Sequence, residues 1–153
     1  MMKRYHCPLS LWLICWCLAI YLPSFGIACS DLSPQAVAAG GSIFARTFVV
    51  ADWMSPGAKL LFGALLIPGM WLTTRVAGLI GRLAAGIGIS VMAMIVDLGL
   101  LPATLSRSFG IGLTGLRFDP AVLPYYLGGA AIAGAAGVAA HYRCTHKAAA
   151  LQG

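Results

Sequence analysis

Long apolar stretches alternate along this chain with short gaps that hold nearly all of its charge. Leu9 to Leu22 is the first, Leu60 to Thr74 the second, Leu83 to Leu101 the third and Ala121 to Ala140 the fourth. Crossing a bilayer takes about 20 predominantly apolar residues in a helix. The pattern therefore predicts an all-α fold, a small polytopic bundle of transmembrane helices. Lys59 and Arg75 bracket the second stretch, Arg82 and Pro102 the third, and Asp97 is the only acid inside any of them.

The first stretch has two readings. Lys3 and Arg4 precede it, and Gly26-Ile27-Ala28 follows it as a small-x-small triplet, which is the layout of a secretory signal cleaved after Ala28. Cleavage leaves three spanning helices. Retention of 1–28 as a spanning helix leaves four, since Leu9 to Ala28 at 1.5 Å per residue reaches roughly 30 Å. A third variant, acylation of Cys29, fits less well because Gly26 stands where such signals usually carry Leu.

Residues 29–59 form an extracytoplasmic loop. Ile43, Phe44, Thr47, Phe48 and Ala51 recur at helical spacing inside it, so 36–51 is expected as one short helix in the membrane interface, with Arg46 able to reach the headgroups. Residues 60–140 then make the transmembrane domain, with helices near 60–74, 83–101 and 121–140. The second helix is short, and its terminal Lys59 and Arg75 extend it to the headgroups. Pro68-Gly69 predicts a kink there. Residues 141–153 form a cytoplasmic tail.

Composition agrees with this frame. The 153 residues are 60% hydrophobic and 9% charged, with a mean hydropathy of +0.89, beyond what a soluble domain keeps out of water. The net charge of +6 comes from ten Lys and Arg scattered singly. Nucleic acid is excluded as a partner, because binding a phosphate backbone needs clustered basic residues. Orientation explains the charges instead. With both ends of the four-segment chain in the cytoplasm, Lys3, Arg4, Arg75, Arg82, Arg143 and Lys147 lie inside, against Arg46, Lys59, Arg107 and Arg117 outside. Asp31, Asp52 and Asp119 also fall outside. A bacterial cytoplasmic (inner) membrane is the expected location.

Few residues carry candidate chemistry. A carboxylate in hydrocarbon costs roughly 2.5 to 3.5 kcal/mol on insertion scales, so Asp97 is expected near the outer interface, solvated by water or by Arg107, with an ion or polar contact as the functional alternative. Gly129, Ala133 and Gly137 fall at i, i+4 and i+8 and form a smooth stripe for helix packing, within the chain or between copies. Arg107 and Arg117 flank Gly110-Ile111-Gly112-Leu113-Thr114-Gly115 and are candidate contacts for lipid headgroups. That glycine run spells a dinucleotide fingerprint but follows no strand, so no nucleotide is expected. His141, Cys144 and His146 match no zinc spacing, and no metal or cofactor is expected. The cysteines give no disulfide framework, and Cys29 and Cys144 face different compartments.

The function expected from these features is that of a non-enzymatic membrane subunit or assembly factor, whose partners are the lipid bilayer and other membrane proteins or copies of itself. A small transporter or channel component, with Pro68-Gly69 and Asp97 lining a path, is the alternative. A cleaved leader followed by two apolar segments around a short basic cytoplasmic turn also resembles the layout of pilin-type subunits of conjugative secretion systems. The segment after Pro120 departs from that plan.

Overall fold

A computed structural model of the chain describes residues 6–52, 54, 56–100 and 119–150, and every regular element among them is an α-helix. In order these are α1 (His6–Cys29), α2 (Pro34–Ala39), α3 (Ile43–Ala51), α4 (Pro56–Thr73), α5 (Leu79–Leu100) and α6 (Leu123–Ala150). Among the described residues four helices, α1, α4, α5 and α6, are long and apolar enough to cross a membrane. The chain is an integral membrane protein by that measure, and its fold is a small helical bundle.

Local chemistry sets the helix ends. Ser33 caps α2 by accepting the Ala36 amide at 3.0 Å, with Pro34 in the first turn where its missing N–H is not needed. Gly40 and Gly41 have φ of +64° and +82°, a left-handed backbone that glycine adopts freely, and Ser42 then opens α3. The single helix expected over 36–51 is therefore two helices broken at the glycine pair. Asp119 starts the turn into α6, its side chain taking the Ala121 amide at 2.8 Å and its carbonyl the amides of Val122 and Leu123. Between α4 and α5, Gly78 turns the chain at φ +74° and the Arg82 Nε donates to the Val76 carbonyl at 2.8 Å.

Three helices differ from their expected limits. α4 starts at Pro56 rather than Leu60, α5 at Leu79 rather than Leu83, and α6 runs on to Ala150 instead of ending at Ala140. Proline suits the first turn of α4, so Lys59 lies inside the helix, not before it. Eighteen residues make α4 about 27 Å long, close to a bilayer's hydrocarbon thickness without help from its basic ends. The tail expected to leave the bundle at His141 remains helical.

α6 is the central helix. Gly26, Pro23 and Cys15 of α1 face Tyr125, Gly129 and Gly137 of α6 in turn, so the two run antiparallel. Gly86 of α5 faces Gly134 and Val138 of α6 in the same antiparallel sense, while Gly69 of α4 faces Ile89 of α5. The chain thus passes up, down, up and down. Arg75, Arg82, His141 and Arg143 share one end of the bundle, and Asp31, Arg46 and Asp119 the other. Phe62, Leu66 and Met70 carry the buried face of α4 into the core beside Met94 and Leu98 of α5.

Candidate functional site

Each residue of the small stripe on α6 meets α1 inside the chain. A Cβ on Gly129 would lie 2.5 Å from Pro23 Cδ, and one on Gly137 would lie 2.9 Å from Cys15 Sγ and 3.0 Å from Met70 Cε. Ala133 is fully buried, and its carbonyl accepts the Cys15 thiol at 2.9 Å. The stripe brings two backbones together as small residues in lipid do, and the backbone it receives belongs to α1. Its use for self-association is already taken while α1 is present.

The opposite face of α6 packs on α5 around the candidate polar residues. Ser90 and Asp97 are both fully buried, seven residues apart and so on one face of α5. Ser90 Cβ would sit 2.9 Å from a Cβ on Gly134. Continuing that antiparallel register by seven or eight residues carries Asp97 to the level of Tyr126, itself 2% exposed. The hydroxyl of Ser90 has no hydrogen-bond partner among the described residues. Ser90 and Asp97 thus line one buried face of α5 at the α5–α6 seam, while Tyr126, seven residues before Ala133, shares the face of α6 that meets α1. Such a seam can hold a proton or a small cation, or tie two helices by polar contacts.

Asp97 was expected to meet water, and the fold denies it. It is 0% exposed, on the inner face of α5 between Met94 and Leu98. Arg107, Arg117 and the glycine run 110–115 lie outside the described residues. Pro68 is accommodated within a continuous α4, and Gly69 packs against Ile89 of α5, which gives the glycine a packing reason. Arg75 lies over the Trp71 ring, 4.5 Å from its centroid, at the bundle end that carries Arg82. His141 packs on Trp12 with ring centroids 5.9 Å apart. Cys144 is disulfide-bonded, which corrects the expectation of no bridge, whereas Cys15, Cys17 and Cys29 are free thiols. The helical extension of α6 holds Cys144 in place where a loose tail was expected.

Sequence reading missed Ser90, although its spacing from Asp97 was visible. It also missed Tyr126, whose burial depends on the pairing of helices far apart in sequence. Compared with known protein families, curated proteins and solved structures, the chain shows no match.

Proposed function

We propose that this chain is a non-enzymatic subunit or assembly factor of a membrane complex in a bacterial cytoplasmic membrane, docking a partner helix on the outward face of α5. The observation that supports it is the row Ala84, Gly88, Met92, Ile95 and Gly99, all exposed, in which Gly88 and Gly99 face open space. Glycine inside a helix costs about 1 kcal/mol relative to alanine. Gly69, Gly86, Gly129, Gly134 and Gly137 offset that cost by admitting a close neighbour, and Gly88 and Gly99 do not within the described chain. A partner helix at Gly88 would supply the missing approach. Changing Ala84 and Gly88 together to Leu keeps the segment hydrophobic. Cross-linking and size analysis of the protein extracted in mild detergent should then show the native complex lost, and an unchanged complex would overturn the reading.

The burial of Asp97 beside Ser90 favours a second reading, a small transporter or channel component. The pilin-type layout has less support, because α6, which that layout does not need, is the helix on which α1 and α5 both pack.

A further inference from the structure

A cavity of about 370 Å³ opens between α1, α3 and the start of α4, lined by Tyr21, Phe48, Val49, Ala51, Asp52 and Lys59. One wall is aromatic. The rings of Tyr21 and Phe48 meet edge to face at 5.6 Å, and Phe25 and Phe44 continue the strip at 6.5 Å. Phe44 and Phe48 are 68% and 61% exposed. Ile14 and Leu18, exposed apolar side chains on the same side of spanning helix α1 as Tyr21, follow along the helix. The charged groups stand at the spanning-helix end of this strip, since Asp52 lies one turn beyond Phe48 and the Lys59 carbonyl is held by Trp16.

The other wall is charged. Asp52 ends α3 through its backbone N–H, bonded to the Phe48 carbonyl at 2.9 Å, which leaves its carboxylate free to point elsewhere. Lys59 is tied through its backbone carbonyl to the Trp16 indole at 2.8 Å, which fixes the start of α4 against α1. Neither side chain forms an ion pair among the described residues; the ion pair at this end of the bundle joins Arg46 to Asp31. One carboxylate and one ammonium therefore stand at the mouth of an aromatic-walled cavity that opens on lipid. Its volume suits a headgroup, while acyl chains need only the outer strip.

We propose that this cavity binds a zwitterionic glycerophospholipid with a primary amine in its headgroup. Lys59 takes the phosphate, Asp52 accepts hydrogen bonds from the ammonium, and an acyl chain lies along Tyr21, Phe48, Phe25 and Phe44. A charge-assisted bond to a carboxylate requires an N–H or O–H donor, which a quaternary ammonium lacks, so it satisfies Asp52 less well. A glycerol headgroup can donate a hydroxyl to Asp52 but brings no positive charge to balance it.

The test is native mass spectrometry of the full chain in detergent, titrated separately with dioleoyl phosphatidylethanolamine, phosphatidylcholine and phosphatidylglycerol. Phosphatidylethanolamine should be retained about ten-fold better than either other lipid, the worth of roughly one charge-assisted hydrogen bond. Asp52→Asn should abolish that preference, Lys59→Gln should weaken all three lipids alike, and Asp31→Asn, at the same end but off the cavity, should leave the preference in place. Circular dichroism confirms that each variant keeps its helices. Equal retention of the three lipids by the wild type, an unchanged preference in Asp52→Asn, or an equal loss in Asp31→Asn would overturn the proposal.

Discussion

Gly86 and Gly134 meet backbone to backbone. A methyl group on Gly134 would run into the Gly86 carbonyl, whose carbon would lie 2.9 Å from it, and into Ser90 Cβ at the same distance. The backbone atoms of Gly86 cannot rotate away as a flexible side chain can. The α5–α6 seam, and with it the level of Ser90 and Asp97 against α6, is fixed by this one approach.

Gly134→Ala should therefore force the two helices apart and destabilise the protein by about 1–3 kcal/mol, the usual cost of overpacking. Gly128→Ala, six residues away and facing open space, should cost nothing. Thermal unfolding of the two variants in one detergent, followed by circular dichroism, separates them. Equal midpoints would mean that the seam yields.

A second prediction concerns α1. Ile27 and Ala28, where cleavage of a signal would fall, are both fully buried within a helix that continues to Cys29, and Pro23 and Cys15 fill the glycine stripe of α6. Removing α1 would expose Gly129, Ala133 and Gly137 together. The membrane-extracted protein is expected to retain residues 1–28, as intact-mass measurement will show. A mass beginning at Cys29 would reject retention and return the α6 stripe to the surface for another helix.

Orientation gives a third. The positive-inside bias puts Arg75, Arg82 and Arg143 in the cytoplasm, whereas a disulfide at Cys144, at the same end, belongs to an oxidising compartment. The arginines take precedence, because short loops with basic residues direct insertion before any bridge forms. In a background with Cys17 and Cys29 changed to Ser, Ala77→Cys should stay unlabelled by a membrane-impermeant maleimide in intact cells, and Ala121→Cys should be labelled. Labelling of Ala77→Cys from outside would invert the bundle and make the bridge at Cys144 the better guide.

The four apolar segments and their order were legible because lipid demands long apolar runs and the gaps between them carry most of the charge. The partner of the Gly129 stripe was not legible, since almost every face of α6 is small and composition cannot say which neighbour comes closest. The return of α3 along α1 was hidden for another reason. It follows from the Gly40-Gly41 break and from Tyr21 and Phe25 receiving Phe48 and Phe44, contacts between residues far apart in sequence. The burial of Asp97 was not legible either, because it depends on which side of α5 packs inward and not on its nearness to the end of the helix at Leu100.

The last prediction tests what that buried carboxyl does. Asparagine has nearly the shape of aspartate and can still make polar contacts, but it neither titrates nor carries charge. If Asp97 serves only to hold α5 against α6, Asp97→Asn should accumulate in the membrane and assemble like the wild type. Asp97→Leu, which removes the polar contacts altogether, should reduce the unfolding midpoint. Should Asp97→Asn instead accumulate normally and lose function, or lose ion flux in liposomes where the wild type conducts, then the charge itself is used and the transport reading displaces the subunit one. Folding and membrane level are measured on the same preparations, so a loss of function cannot be mistaken for a loss of protein.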